Sequence, residues 1–229
     1  MFHRIITALA VLAAFGVAVG AQQPPARPLS PSGSTQAQVL GHWTKGDRPT
    51  FAVGQERYVE GKWLEVTYGR PALRGRDVFG SGANYGKALI DLPLGDFGPP
   101  PVWRAGANVT TRLNTEATLT LADKDKGKKV PTGEYSLFID VKGPQDWTLI
   151  VSNWAAQARF DQKDKTALWG AYGYTPDKDV ARVPMRVETL PYSVEQLTWA
   201  FLDMTPDSGS VAIMWGKTMA RVSFKAETP

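Results

Sequence analysis

Residues 135–151 read YSLFIDVKGPQDWTLIV, and they indicate the architecture more clearly than any other part of the chain. The two ends of this stretch, residues 135–141 and 147–151, are rich in β-branched and aromatic side chains, which favour extended strands. Residues 142–146 between them contain Gly and Pro, which are typical of turns. The pattern predicts two antiparallel strands joined by a hairpin connection.

The same kind of pattern recurs towards the N-terminus. In residues 63–68, Leu64, Val66 and Tyr68 fall on one face of an extended chain. Residues 117–121 alternate apolar side chains with Thr. Alternation with a period of two is typical of a strand that buries one face only.

The C-terminal part continues the pattern. Residues 197–201 and 211–215 alternate again, with the turn-forming sequence TPDSG at 205–209 between them. The Gly-Lys pair at 216–217 favours a two-residue hairpin directly after the second strand. Residues 153–160 differ, because an Ala-rich sequence after an Asn is typical of a short capped helix. Short strands separated by Gly and Pro turns predict an all-β fold, a single antiparallel β-sandwich, and closure like that of a jelly roll or a barrel stays open.

Residues 1–21 are typical of a secretory signal peptide. Arg4 supplies the positive charge, residues 5–19 are uncharged and mostly apolar, and small residues precede the expected cleavage after Ala21. A retained membrane anchor is the alternative, but the apolar stretch is shorter than the roughly 20 residues that a spanning helix needs. We therefore expect an exported protein, in the periplasm or the extracellular space, with no membrane span after cleavage.

The rest of the chain divides into a linker and one domain. Residues 22–34 are rich in Pro, Ser and Gln, which predicts a disordered linker. Residues 35–226 form a single domain, because no second low-complexity stretch divides them. Trp147, Trp199 and Trp215 belong to strand segments, and we expect them in the core of that domain.

The composition argues against several functional classes. The chain has 0 Cys, 2 His and a formal net charge of +4. Without Cys there is no thiol redox chemistry and no Cys-ligated zinc site. His42 is the one His outside the signal segment, so a multi-His metal site cannot be built within one chain. The basic residues are scattered, which gives nucleic acid binding no support, and we expect neither a metal nor a cofactor.

Four runs of residues occur in an order that is familiar from a known family. They are YGRPALRGRDVFG at 68–80, WRAGAN at 103–108, VPTGEYSLF at 130–138 and WGAYGYTPDKDVAR at 169–182. This order resembles the domain-of-unknown-function 2911 family over roughly residues 29–224. The resemblance implies a bacterial, mostly exported protein with one all-β domain, and it implies no particular activity.

Arginine and aromatic residues are prominent within these runs. A guanidinium group carries five donors in a planar fork, and Trp and Tyr rings can stack on sugars or planar groups. Such a set predicts a cleft for an anionic or sugar-like small ligand. The same residues also suit a structural role, in which Arg side chains bind strand carbonyls or an Asp. The candidate binding residues are Arg70, Arg104, Asn108, Trp169, Tyr172 and Arg182.

The sequence offers no convincing nucleophile or general base, so we name no catalytic residue. We favour a non-catalytic exported protein that binds a small ligand or serves an accessory role in the cell envelope. Two alternatives stay open. A carboxylate-dependent hydrolase would need two carboxyl groups that face one pocket. A structural module would bind a protein partner, which the sequence does not identify, through an exposed apolar patch.

Overall fold

A computed structural model describes residues 29–44, 57–122 and 127–229 of the protein. Strands dominate these residues, and the helical turns are short 3-10 turns such as Gly82–Asn84 and Pro176–Lys178. The predicted all-β class is therefore confirmed. The strands are β1 (Ser32–Val39), β2 (His42–Thr44), β3 (Arg57–Val59), β4 (Lys62–Gly69), β5 (Thr111–Thr115), β6 (Thr118–Ala122), β7 (Lys128–Val130), β8 (Gly133–Gly143), β9 (Asp146–Ser152), β10 (Ala155–Ala156), β11 (Ala167–Leu168), β12 (Asp179–Pro184), β13 (Arg186–Leu202) and β14 (Ser208–Glu227).

Two antiparallel sheets form the sandwich. The larger sheet has six strands in the order β1-β4-β5-β8-β9-β12, and the smaller has four in the order β13-β14-β6-β7. Two short ribbons, β2-β3 and the parallel pair β10-β11, lie outside them. Among the described strands the larger sheet ends at β1 and β12, so it does not close into a barrel. The predicted sandwich is confirmed, and the alternative of barrel closure is wrong.

The main core lies between the two sheets. Trp147 of β9, Trp199 of β13 and Trp215 of β14 are buried there, as the strand pattern predicts. The indole N–H of Trp199 donates to the carbonyl oxygen of Ala105 at 2.9 Å, so this buried polar group has a partner. Trp103 stacks on Trp215, with 6.3 Å between the ring centroids. Large aromatic side chains thus pack together with aliphatic ones between the sheets.

A second, smaller core lies on the opposite face of the larger sheet, which we call the outer face. Successive strand residues point to opposite faces, so Phe138 of β8 and Ile150 of β9 point away from the main core. Residues 153–178, the covering segment, pack over them through Leu168, Ala171 and Tyr174. The covering segment therefore shields only the half of the outer face that these strands form.

The covering segment is not helical at its start, so the prediction of a helix over residues 153–160 is wrong. Ala155 and Ala156 form β10, which pairs with Ala167 and Leu168 of β11. Backbone pairing with a distant segment outweighs the local preference of Ala for helix, which is worth only a fraction of a kcal/mol per residue.

The predicted hairpin at residues 216–217 is also wrong. β14 runs unbroken from Ser208 to Glu227, and Gly216 lies within it opposite Val194. The register with β13 shifts on either side of Val194, and Gly216 has a φ of +58°. Gly therefore allows an irregularity that bends a long strand, where the sequence suggested a chain reversal.

Two predicted connections are confirmed. Residues 142–146 join β8 to β9, with Gly143 opposite Asp146. Residues 205–209 lie where β13 gives way to β14, and the hydroxyl of Thr205 accepts a hydrogen bond from the Ser208 N–H at 3.1 Å. Short polar residues that bond to the nearby backbone stabilise such turns.

The N-terminal boundary differs from the prediction. β1 begins at Ser32 and pairs with β4 along its length, so the last three residues of the predicted linker, 32–34, belong to a strand. The predicted signal peptide, residues 1–21, and residues 22–28 of the linker lie outside the described residues. Within the described part of the chain, no helix has the length and apolar character needed to cross a membrane.

Candidate functional site

Arg104 is buried and held on several sides. Its Nε donates to Asp91 Oδ2 at 2.7 Å, and a terminal nitrogen lies 2.5 Å from the same oxygen. Its other terminal nitrogen donates to the backbone carbonyl of Asn108, and its guanidinium carbon lies 5.5 Å from the ring centre of Tyr172. Gly170 packs against the guanidinium, leaving no room for a Cβ atom. The donors of Arg104 therefore serve to join loops of the same chain.

Tyr172 and Asn108 are part of the same arrangement. The Tyr172 hydroxyl donates to the carbonyl of Leu92 at 2.5 Å, and burial raises the pKa of that hydroxyl. Asn108 has a φ of +63°, and its side-chain amide donates to the carbonyl of Ser30 at 3.4 Å. Arg104 thus contacts both the Tyr172 ring and the Asn108 backbone carbonyl while it forms an ion pair with Asp91.

Arg182 belongs to a different cluster. One terminal nitrogen donates to Asp179 Oδ2 at 3.0 Å and to the Tyr174 hydroxyl oxygen at 3.1 Å, while the other donates to Asp140 at 3.0 Å. Asp179 is almost fully buried, and its second oxygen has no hydrogen-bond partner among the described residues. Burial, followed by the hydrogen bond to Asp179, raises the pKa of Tyr174. These contacts attach β12 to β8.

Arg70 directly follows β4, beside the start of β1. Its Nε donates to the carbonyl of Leu197 at 3.5 Å, and its backbone N–H donates to Pro31 at 2.8 Å. Its aliphatic stem packs against Gly33 so closely that a Cβ there would lie 2.3 Å from Arg70 Cδ. Among the described residues, Arg70 and Arg182 share no hydrogen-bond partner with Arg104. Trp169 lines a hollow together with Tyr172, whereas Arg70 and Arg182 lie apart from the other candidates. The six residues therefore do not form one cleft, and their ligand-binding role stays a prediction.

A broad concave surface lies on the open half of the outer face. A groove of about 640 Å³ runs over β1, β4 and β5. Part of the covering segment, residues 156–158, forms one of its walls. We call it the sheet groove. The polar side chains on its floor are Ser32, Ser34, Glu65, Thr67 and Arg112.

The floor of the sheet groove carries charges of both signs. Arg112 donates to Glu134 Oε1 at 2.8 Å, and the two side chains are 47% and 59% exposed. Gln36 donates to Glu65 Oε1 at 2.7 Å. A smaller hollow of about 90 Å³ continues the groove between Glu65 and Glu134, next to Asn114. Donors and acceptors on four neighbouring strands are therefore presented to solvent.

An exposed indole lies on the same face. Trp63 of β4 precedes Glu65 by two residues, so both point outward, and Trp63 is 46% exposed. Leu64, Val66 and Tyr68 fill the buried face of this strand, as predicted, and the residues between them form a row on the outer face. The alternation that predicts the buried face of β4 also predicts that Trp63, Glu65 and Thr67 face outward.

The wall of the sheet groove is held in place by Gln157. This side chain is buried, and its amide nitrogen donates to the carbonyls of Asp161 and Ala167, each at 3.0 Å. Its amide oxygen accepts from the Asp161 N–H at 2.9 Å. A fully bonded buried amide fixes the loop around it, so the wall keeps its shape without a ligand.

No group of three or more His, Cys, Asp or Glu side chains suited to a metal ion occurs among residues 29–44, 57–122 and 127–229.

Residues 52–224 match the model of a family described as a protein of unknown function (DUF2911). The chain belongs to this family. The match covers most of the sequence and contains all four motifs, so the predicted family of this DUF2911 protein is confirmed. The matched region begins at residue 52, later than the predicted start at residue 29, so β1 lies outside it. The comparisons with curated proteins and with solved structures gave no match. Membership in this family assigns no activity to the chain.

Proposed function

We propose that this DUF2911 protein is an exported, non-catalytic binding protein that holds a carbohydrate in the sheet groove. The observation that carries the proposal is the combination of a concave polar surface with an exposed indole on one sheet face. Sugars offer many hydroxyl groups for hydrogen bonds and apolar ring faces for stacking. Paired donors and acceptors beside an aromatic ring match both requirements.

The charges of the groove favour a neutral ligand over an anionic one. Arg112 is the cation on the floor, and the carboxylates Glu65 and Glu134 lie on either side of it in the neighbouring strands. A phosphate or carboxylate ligand would meet more negative than positive charge there. A ligand without charge can bond to all three side chains without that repulsion.

Two carboxyl groups in one hollow also keep the hydrolase alternative open. Glu65 and Glu134 lie opposite Asn114 on either side, two strand spacings apart, or roughly 10 Å between Cα atoms. An acid catalyst in a glycosidase lies as a rule in a buried, apolar environment. Glu134 is instead largely exposed and paired with Arg112. This environment favours binding over hydrolysis.

The test uses the protein and neutral oligosaccharides. Isothermal titration with cellohexaose, maltohexaose and chitohexaose should find at least one ligand. The Trp63→Ala and Arg112→Ala variants should bind it at least about tenfold more weakly, since a tenfold change corresponds to about 1.4 kcal/mol. Matched controls are Trp43→Ala, which removes another exposed indole, and Lys129→Ala, which removes another exposed ion pair.

The outcomes separate the alternatives. Failure of all three sugars to bind, or equal losses in Trp63→Ala and Trp43→Ala, would overturn the proposal. Release of reducing sugar by the wild type, abolished in both Glu65→Gln and Glu134→Gln, would replace binding by hydrolysis.

The export part of the proposal rests on the sequence of residues 1–21. Mass spectrometry of the protein from fractionated cells should find a mature chain that begins at Gln22 in the periplasm or the medium. An intact N-terminus in the cytoplasm would refute it.

A further inference from the structure

A second hollow lies beside the covering segment, on the other side of Gln157 from the sheet groove. It encloses about 140 Å³ and is less open to solvent than the groove. A cavity of about 150 Å³ holds a molecule the size of benzene, so this hollow suits one small group and excludes a sugar chain. We call it the aromatic pocket; its side chains include Phe97, Phe160, Asp164, Lys165, Trp169 and Tyr172.

The rings of the aromatic pocket form two contacting pairs. Phe160 and Trp169 have ring centroids 6.3 Å apart, and Phe97 and Tyr172 have centroids 6.1 Å apart. The hydrogen bond from Tyr172 to the Leu92 carbonyl fixes one ring, and Tyr172 also packs beside Arg104. The faces of such rings carry partial negative charge and attract cations.

The pocket already holds a cation of the protein itself. The Lys165 ammonium nitrogen lies 4.4 Å from the centre of the Phe97 ring. Asp164 lines the same hollow, and its Oδ1 accepts bonds from the Thr166 hydroxyl and N–H, each at 2.7 Å. The Thr166 hydroxyl, followed by the Thr166 N–H, holds the pKa of Asp164 below its ordinary value. A carboxylate and four aromatic rings thus surround one small space.

We propose that the aromatic pocket binds a small methylated ammonium group and that Lys165 competes with this ligand for the ring faces. Aromatic rings with a nearby carboxylate are the arrangement that recognises quaternary ammonium ions. A neutral group of the same shape would make the same apolar contacts with the rings but would lack the electrostatic attraction to the ring faces and to Asp164. The site is distinct from the sheet groove, and it does not depend on carbohydrate binding.

The first test compares a cation with its neutral isostere. Titration with choline and with 3,3-dimethyl-1-butanol, which replaces the charged nitrogen by carbon, should show choline binding about fivefold to thirtyfold more tightly. The Phe160→Ala variant should lose about tenfold in choline affinity, and Phe160 is exposed enough that its removal spares the core. Trp63→Ala should leave choline affinity unchanged. Equal affinities for the two compounds would overturn the proposal.

The second test addresses the competing lysine. Lys165→Gln removes the internal cation and should tighten choline binding several-fold. Lys163→Gln, two residues away on the same loop, is the matched control and should have no effect. Choline affinity that is unchanged in Lys165→Gln, or choline binding in neither the wild type nor this variant, would contradict the proposal.

Discussion

The two halves of the outer face use the same chemistry to different ends. Under the covering segment, Arg104 and Asp91 form an ion pair whose side chains are 7% and 27% exposed. On the open half, Arg112 and Glu134 form a pair at 47% and 59% exposure. An Arg–carboxylate pair thus stabilises the structure in the covered half, whereas in the open half such a pair is accessible to a ligand. Solvent exposure, and not residue type, separates the two.

The physical reason is the cost of removing charge from water. Loss of one partner from a buried pair leaves the other charge without water or a counter-ion, which costs about 3–5 kcal/mol. An exposed pair is already solvated, and its contribution to stability is about 0–1 kcal/mol. A side chain that stability does not require is available for binding.

The largest effect is expected for Arg104→Ala. It leaves Asp91 without its partner and removes the hydrogen bond to the Asn108 carbonyl. We expect the free energy of unfolding to fall by about 3–5 kcal/mol, measured by urea denaturation with linear extrapolation. Arg104→Lys keeps the charge and should lose less. A decrease of less than about 1 kcal/mol in the free energy of unfolding would show that this pair does not hold the covered half together.

Gly170→Ala should have the next largest effect. Gly170 has a φ of +63°, and a Cβ there would lie 2.4 Å from Arg104 Cζ. Gly75→Ala is a matched control, because Gly75 has a φ of +70° but nothing within 4 Å of the added carbon. The control measures the backbone strain alone, about 1–2 kcal/mol. The loss of unfolding free energy in Gly170→Ala should exceed that in Gly75→Ala by at least about 1 kcal/mol. Equal losses in the two variants would show that contact with Arg104 does not require Gly at position 170.

Tyr174 makes the covered half sensitive to high pH. Its hydroxyl has an ordinary pKa of 10.0 in the unfolded chain, and burial raises the pKa in the folded protein. The unfolded chain therefore releases this proton first, so stability is complete below about pH 10 and falls as the pH rises further. Tyr174→Phe should make the decline shallower by up to about 1.4 kcal/mol per pH unit.

The control for this titration is Tyr192→Phe, which removes the hydroxyl of an exposed tyrosine. Unfolding free energies between pH 8 and pH 11 give the slope for each protein. Tyr174→Phe also loses a hydrogen bond to Asp179, so the slope and not the absolute stability is decisive. Identical slopes in the wild type and Tyr174→Phe would contradict the argument.

The smallest effect on stability is expected on the open half. Arg112→Ala and Glu134→Gln should each change the free energy of unfolding by no more than about 0.5 kcal/mol, because both partners are solvated. Denaturation of Lys129→Ala, which breaks another exposed pair, gives the reference value. A loss above about 1.5 kcal/mol in Arg112→Ala would remove the contrast between the two halves.

Local patterns predicted the parts of the fold that depend on local chemistry. Alternation identified the strands, and the turn residues at 142–146 and 205–209 were placed correctly. The errors occurred where a distant partner outweighed a local preference. Ala155 and Ala156 extend because β11 lies beside them, and Gly216 continues a strand because Val194 lies opposite.

The site shows the same division. The Arg and aromatic motifs were visible in the sequence, but the Arg104–Asp91 pair joins residues whose contact no spacing rule predicts. The outward row Trp63, Glu65 and Thr67 was readable from alternation. Whether this row is exposed to solvent depends on which half of the outer face the covering segment leaves open.

By itself, the sequence determined the strand-rich class, the family, the tryptophan core and the absence of Cys chemistry. These follow from residue type and from a period of two along the chain, which are local properties. The tertiary structure determined which charged groups are buried and which line a groove. Burial depends on the packing of segments far apart in sequence, and it sets the desolvation cost that separates Arg104 from Arg112.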